Sequence, residues 1–205
     1  MTVTSVEKYK GETMCVIFDG DKRTYLHRDL VSRYSLKPLT EITHDDLTEI
    51  LYASELRCAS RRAMYLINER DYSYIELFEK LRKNYDEDIC YDVADKMAQK
   101  GFINDRRYAS QIVYSYMECK CYGPKRVRQE LYKRGIRGAL AEEALEEYAD
   151  GTFERLCSVI ERKYSWELCD KEDLKAVNKV KNALVRLGYD YDDINAAVRE
   201  FLEDN

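Results

Sequence analysis

Apolar residues recur at spacings of three and four along most of the chain, the period of an amphipathic helix. Ala59, Ala63, Leu66 and Ile67 share one face, and Leu77 and Leu81 share another. Ile89, Val93 and Met97 follow at i, i+4, i+8. The same rhythm returns in Tyr108, Ala109, Ile112, Val113 and Tyr116, then in Val127 and Leu131, then in Leu140, Ala144, Leu145 and Tyr148. It returns again in Phe153, Leu156 and Ile160, in Val177, Val180 and Leu184, and in Ile194, Ala197, Val198, Phe201 and Leu202. The helix signals between these runs agree. Ser73 to Glu76 reads as a capping box, Asn84 as a left-handed stop, Gly123-Pro124 as a start, and Gly101, Gly135 and Gly188 as stops.

The runs fall into three groups of three helices: 57–104, 105–150 and 151–205. The junctions after each second helix resemble one another. They read Leu81-Arg-Lys-Asn84-Tyr85, Leu131-Tyr-Lys-Arg-Gly135-Ile136 and Leu184-Val-Arg-Leu-Gly188-Tyr189. The predicted fold class is therefore mainly α: three tandem three-helix repeats forming an elongated curved array, each repeat contacting its neighbours.

Residues 1–56 break the rhythm and form a separate extension. Met14 to Phe18 is a β-type run, Asp19-Gly20 is a turn signal, and Thr24 to Leu26 can pair back, which predicts a β-hairpin or a three-strand patch. Leu30 to Leu56 predicts one or two short helices around Pro38. Thr43 supplies a cap, acidic residues follow in the first turn, and Leu47, Ile50, Leu51 and Leu56 form the stripe. His44 reads as an exposed first-turn residue, and no motif surrounds His27.

Charge changes the picture in one place. The chain as a whole carries a net charge of −5, yet residues 101–140 hold nine cations against three carboxylates. Val127 and Leu131 share the inner face of the helix that starts at Pro124. Lys125, Arg126, Arg128, Gln129, Tyr132 and Lys133 fall on the other side, so a basic face carrying one tyrosine is expected toward solvent. Such a face is either simply solvated or a contact surface, and its contrast with an acidic chain favours the second.

Catalytic chemistry finds little to use. The chain has seven cysteines without a CxxC pair and only two histidines, which argues against a structural zinc site. It has no P-loop, GxGxxG, GxSxG or HExxH sequence. The Asp45/Asp46 and Asp192/Asp193 pairs sit at helix starts, where the positive helix end explains them. No enzyme activity, cofactor or metal is expected. With no apolar leader and no long apolar segment, a cytoplasmic, non-membrane protein is expected, and a monomer.

Two motifs resemble the RecX family, the bacterial regulators of the RecA recombinase. Gly101-Phe-Ile-Asn-Asp-Arg-Arg-Tyr-Ala109 is similar to that family's Gly-Leu-Ile-Asp-Asp-x-Arg-Phe-Ala. Gly123-Pro-Lys-Arg-Val-Arg-Gln-Glu-Leu131 is similar to its Gly-Pro-x-Arg-Ile-x-x-Glu-Leu. Tyr72-Ser73-x-x-Glu76-Leu77 precedes them in the matching order. The chain departs from the family at Asn104, in the shortened junction at Leu81–Asn84, and in its low overall charge. The resemblance implies three stacked three-helix repeats in the groove of a RecA–single-stranded DNA filament. There the protein would limit filament growth and lower recombinase, ATPase and coprotease activity within the SOS response. Direct nucleic-acid binding is the alternative. The partner-binding residues expected are Arg106, Arg107, Lys125, Arg126, Arg128, Lys133 and Arg134, with Arg107 equally suited to an internal ion pair. Asp105, Tyr108, Gly123 and Pro124 are expected to serve capping, packing and turn geometry.

Overall fold

The structure is a computed structural model that describes residues 1–170 and 173–204. It is mainly α, with a small antiparallel sheet at the N-terminus in the order β1-β2-β3. The strands are β1 (Val3–Lys10), β2 (Thr13–Phe18) and β3 (Lys22–His27). Thus the three-strand alternative is the one that forms. Asp19 (φ +46°) and Gly20 (φ +88°) supply the left-handed turn between β2 and β3, and Asp21 N–H closes it on the Phe18 carbonyl at 3.2 Å. Val16, on the central strand, pairs with Val6 and with Thr24.

After the short α1 (Arg28–Arg33), α2 runs unbroken from His44 to Glu69. The short helix expected to end near Leu56 is thus corrected to one of 26 residues. No glycine or proline interrupts the segment, so nothing in it ends the hydrogen-bond ladder. Its start is as expected: the Thr43 hydroxyl accepts from Asp46 N–H at 3.1 Å, and the Asp46 carboxylate accepts from Thr43 N–H at 2.8 Å. Leu47 and Ile50 are buried, whereas Leu51 is 39% exposed and leaves the stripe. His44 is exposed. His27 caps α1, its Nδ1 accepting from Asp29 N–H.

The chain divides into two compact units, residues 1–70 with 77–100, and residues 71–76 with 101 onward. In the first, Val3, Val16, Phe18, Leu26, Leu36, Ile42, Leu47 and Ile50 form the core under the sheet. Helix α2 also packs on α4 (Glu87–Gln99), burying Ala59, Ala63, Ile89, Val93 and Met97, and the Tyr52 hydroxyl donates to Asp92 at 2.7 Å. Helix α3 (Tyr74–Leu81) does not end in a left-handed asparagine, as expected at Asn84. The Asn84 and Tyr85 N–H groups instead both turn back to the Leu81 carbonyl, at 2.9 and 3.1 Å, so a tight turn replaces the left-handed cap.

The second unit holds α5 (Asp105–Tyr114), α6 (Pro124–Lys133) and α7 (Ala139–Glu146) around Tyr108, Ala109, Ile112, Val113, Val127, Leu131, Ile136 and Leu145. It continues with α8 (Thr152–Tyr164), α9 (Leu174–Leu187) and α10 (Tyr191–Asp204) around Leu156, Val159, Ile160, Val180, Leu184, Tyr189, Ile194 and Val198. Helix α5 runs on into a π-helical turn, Ser115–Cys119, which the 3.6-residue period did not predict.

Two joints inside this unit account for most of the motif residues. In one, the start of α6 lies against the end of α9. Gly123 N–H donates to the Leu187 carbonyl at 2.9 Å and Lys125 N–H to the Gly188 carbonyl at 3.1 Å. A Cβ at Gly123 would fall into the backbone of Gly188 and Tyr189, and one at Gly188 into the backbone and Cβ of Arg126. Both positions therefore require glycine. Gly188 also takes the left-handed conformation, φ +96°.

In the other joint, residues 71–76 lie against the end of α6. The Ser73 hydroxyl donates to the Arg134 carbonyl, and Gly135 (φ +78°) packs under Ile75. Tyr74 N–H donates to Asp105 Oδ1 at 2.8 Å, and the Tyr108 hydroxyl donates to Glu76 at 2.9 Å. The capping box is formed, with Glu76 N–H donating to the Ser73 hydroxyl at 3.1 Å. Burial raises the Asp105 carboxyl pKa, while its bond from Tyr74 N–H works the other way.

Candidate functional site

Helix α6 folds as its sequence pattern requires. Pro124 sits in the first turn, where its missing N–H costs nothing, and Val127 and Leu131 are fully buried. Its outer surface carries the expected cations, each with a carboxylate beside it. Each of the seven expected cations lies in an internal ion pair. Arg106 meets Glu143 at 2.6 Å, Arg107 meets Asp71 at 3.6 Å, and Lys125 meets Asp190 at 2.6 Å. Arg128 holds Glu142 with two bonds of 2.7 Å, which lower the Glu142 carboxyl pKa. Lys133 and Arg134 both bind Glu130, at 2.8 and 3.0 Å, and Arg126 approaches it at 3.9 Å.

The cations face solvent as expected, and their pairing has a geometric reason. The expectation counted charge along residues 101–140, but Glu142 and Glu143 come from α7, Asp190 from just before α10, and Asp71 from just before α3. Folding brings these four carboxylates onto the patch. Glu130 belongs to α6 itself and is the buried exception, 9% exposed. The hydrogen bond from Lys133 is the main cause that pulls its pKa down, to about 2, with Arg134 adding to it against the opposing effect of burial. The remaining pairs are mostly solvent-exposed and worth about 0–1 kcal/mol each. They balance charge locally but hold their cations weakly.

Two cations of the window behave differently. Lys120 Nζ stands 3.7 Å from the centre of the Tyr116 ring, and Arg137 Cζ stands 4.0 Å from that of Tyr132. Neither is drawn into an ion pair among the described residues. Sequence reading passed over both. Tyr116 is placed by the π-helical turn, and Arg137 reaches back over α6 from beyond the Gly135 stop. The one available signal for the second was the lone exposed tyrosine of α6, with an arginine five residues on. Around Tyr132, the side chains of Arg128, Gln129 and Lys133 line a shallow depression of about 380 Å³.

No group of three or more His, Cys, Asp or Glu residues suited to a metal occurs among the described residues. No described helix is long and apolar enough to cross a membrane.

Triplets of helices that hand hydrogen bonds from the end of one second helix to the start of another define a helical-repeat protein. Residues 104–145 match the family model described as RecX, second three-helix domain. Regulatory protein RecX of Clostridioides difficile (strain 630) is 29% identical over 204 residues, covering 98% of this chain and 95% of that protein. Its counterpart in Ectopseudomonas mendocina (strain ymp) is 33% identical over 140 residues, covering 68% of this chain and 91% of that protein. The crystal structure of a regulatory protein RecX aligns over 100% of this chain and 99% of its own with a TM-score of 0.73, at 18% identity, a likeness of fold. That of RecX from Lactobacillus salivarius aligns over 75% and 99%, with a TM-score of 0.67 and 27% identity. The chain belongs to the RecX family of regulatory proteins.

Proposed function

We propose that this protein binds the RecA–single-stranded DNA filament in the cytoplasm, as a monomer, and inhibits filament growth, recombinase, ATPase and coprotease activities without catalysis of its own. The observation that carries this reading is similarity to a protein named regulatory protein RecX over nearly the full length of both chains. The chain's net charge of −5 supports a protein partner over naked nucleic acid, since tight phosphate binding needs an excess of cations over a broad face. The weakly held Arg106, Arg107, Lys125 and Arg128 can exchange their carboxylates for those of a partner. Arg126, Lys133 and Arg134, gathered around buried Glu130, serve first to shape α6 and present the rest of its surface. The working units are taken as the extension 1–56 and the repeats 57–104, 105–150 and 151–205.

The test is a titration of purified protein into RecA filaments on single-stranded DNA, read by ATP hydrolysis. Slowing at substoichiometric amounts is expected. Undiminished hydrolysis at excess protein refutes the reading.

A further inference from the structure

We infer that the principal contact point of this protein is the Tyr132–Arg137 pair, and that it receives a protein segment presenting a carboxylate beside an apolar side chain. This deepens the function proposed above and rests on it. Tyr132 is 58% exposed on the outer side of α6, and Arg137 is exposed and lies over its ring. Stacking between a guanidinium and an aromatic face favours one arrangement of both groups before any partner arrives, so less side-chain freedom remains to be lost on binding. Tyrosine and arginine are also the residue types, with tryptophan, that dominate protein–protein contact energies.

Charge identifies the occupant. Arg128 and Lys133, on either side of the tyrosine, already have Glu142 and Glu130. Among the described residues Arg137 has the ring and no carboxylate, so it is the charge at this spot left for a partner to answer. One unanswered guanidinium matches a single carboxylate, not the run of charges on a polynucleotide. The aliphatic stems of Arg128, Gln129 and Lys133 line the depression of about 380 Å³ beside the ring. That space suits one apolar side chain next to the carboxylate.

The test compares the full-length chain with its Tyr132→Ala, Tyr132→Phe and Arg137→Ala variants. Each is titrated by fluorescence anisotropy against RecA filaments on labelled oligothymidine and against the bare oligonucleotide, after circular dichroism has matched their folds. Both alanine variants should bind filaments about tenfold or more weakly, a loss of the size seen at interface anchors. Tyr132→Phe should bind as the parent does, and binding to bare oligonucleotide should be the same for all. Parent-level filament binding by both alanine variants overturns this inference and leaves the proposed function standing. A parallel loss on the bare oligonucleotide also overturns it, by making the pair a base-stacking platform. Failure of the parent chain to bind filaments overturns both.

Discussion

At the joint between α6 and α9, backbone meets backbone. Gly123 and Lys125 donate directly to the carbonyls of Leu187 and Gly188, and neither glycine has room for a methyl group. At the joint between residues 71–76 and α6, side chains do the same work. The Ser73 hydroxyl reaches the Arg134 carbonyl, Asp105 takes up Tyr74 N–H, and Gly135 faces the side chain of Ile75 rather than a main chain. The first joint tolerates no change in shape. The second can be relieved, because a side chain can be trimmed away, and it also contains groups that titrate.

The largest effect is expected at the backbone joint. Gly188→Ala combines a left-handed φ, costing about 1–2 kcal/mol, with steric overlap costing about 1–3 kcal/mol. Urea unfolding should show a loss of about 3 kcal/mol, and no change to the Arg126 side chain should restore it, since Arg126 N stands as close to the added methyl group as Arg126 Cβ does, both at 2.4 Å. At the side-chain joint, Gly135→Ala should cost about 2 kcal/mol from the same two sources. Here Ile75→Gly in the same chain, which removes the Ile75 Cβ that a methyl group at residue 135 would meet at 2.5 Å, should recover the steric part and leave the conformational part, read from the double-mutant cycle. If the two glycines respond alike to such trimming, the contrast between the joints is wrong.

A smaller effect depends on pH. Glu130 anchors Arg134, whose carbonyl receives the Ser73 hydroxyl. Its folded pKa, about 2, lies below the ordinary 4.5, so it adds stability that is complete above about pH 4.5. That stability disappears as pH falls toward 2. Glu130→Gln should lose about 1–2 kcal/mol at pH 7, and its deficit should shrink through that window. A deficit that stays constant from pH 7 to 3 assigns the loss to packing instead.

The periodic apolar residues, the Thr43 cap, the Ser73 capping box and the left-handed Gly135 and Gly188 were legible in sequence, because each depends on residues within a few positions. Two other local readings failed. Asn84 can adopt a left-handed cap, but nothing obliges it to, and a tight turn on the Leu81 carbonyl serves equally. Leu56 closes one apolar stripe, but Ala59, Ala63 and Leu66 continue the same helix, since no glycine or proline breaks the ladder between them. The candidate site was less legible still. The cations are where their helices put them, but whether a cation is neutralised depends on carboxylates far away in sequence, as with Lys125 and Asp190. The stacking of Arg137 on Tyr132 likewise depends on how the chain turns after Gly135, and the helical period carries no information about that.

The contact of α6 with α9 has an electrostatic side. The two helices meet nose to tail, so the partial positive charge at the amino end of α6 is set against the partial negative charge at the carboxyl end of α9. A helix that opens with Gly-Pro and two cations invites a phosphate, yet its early N–H groups are occupied by protein carbonyls. An anion drawn to this end of α6 finds no backbone cradle, and side chains alone would have to hold it.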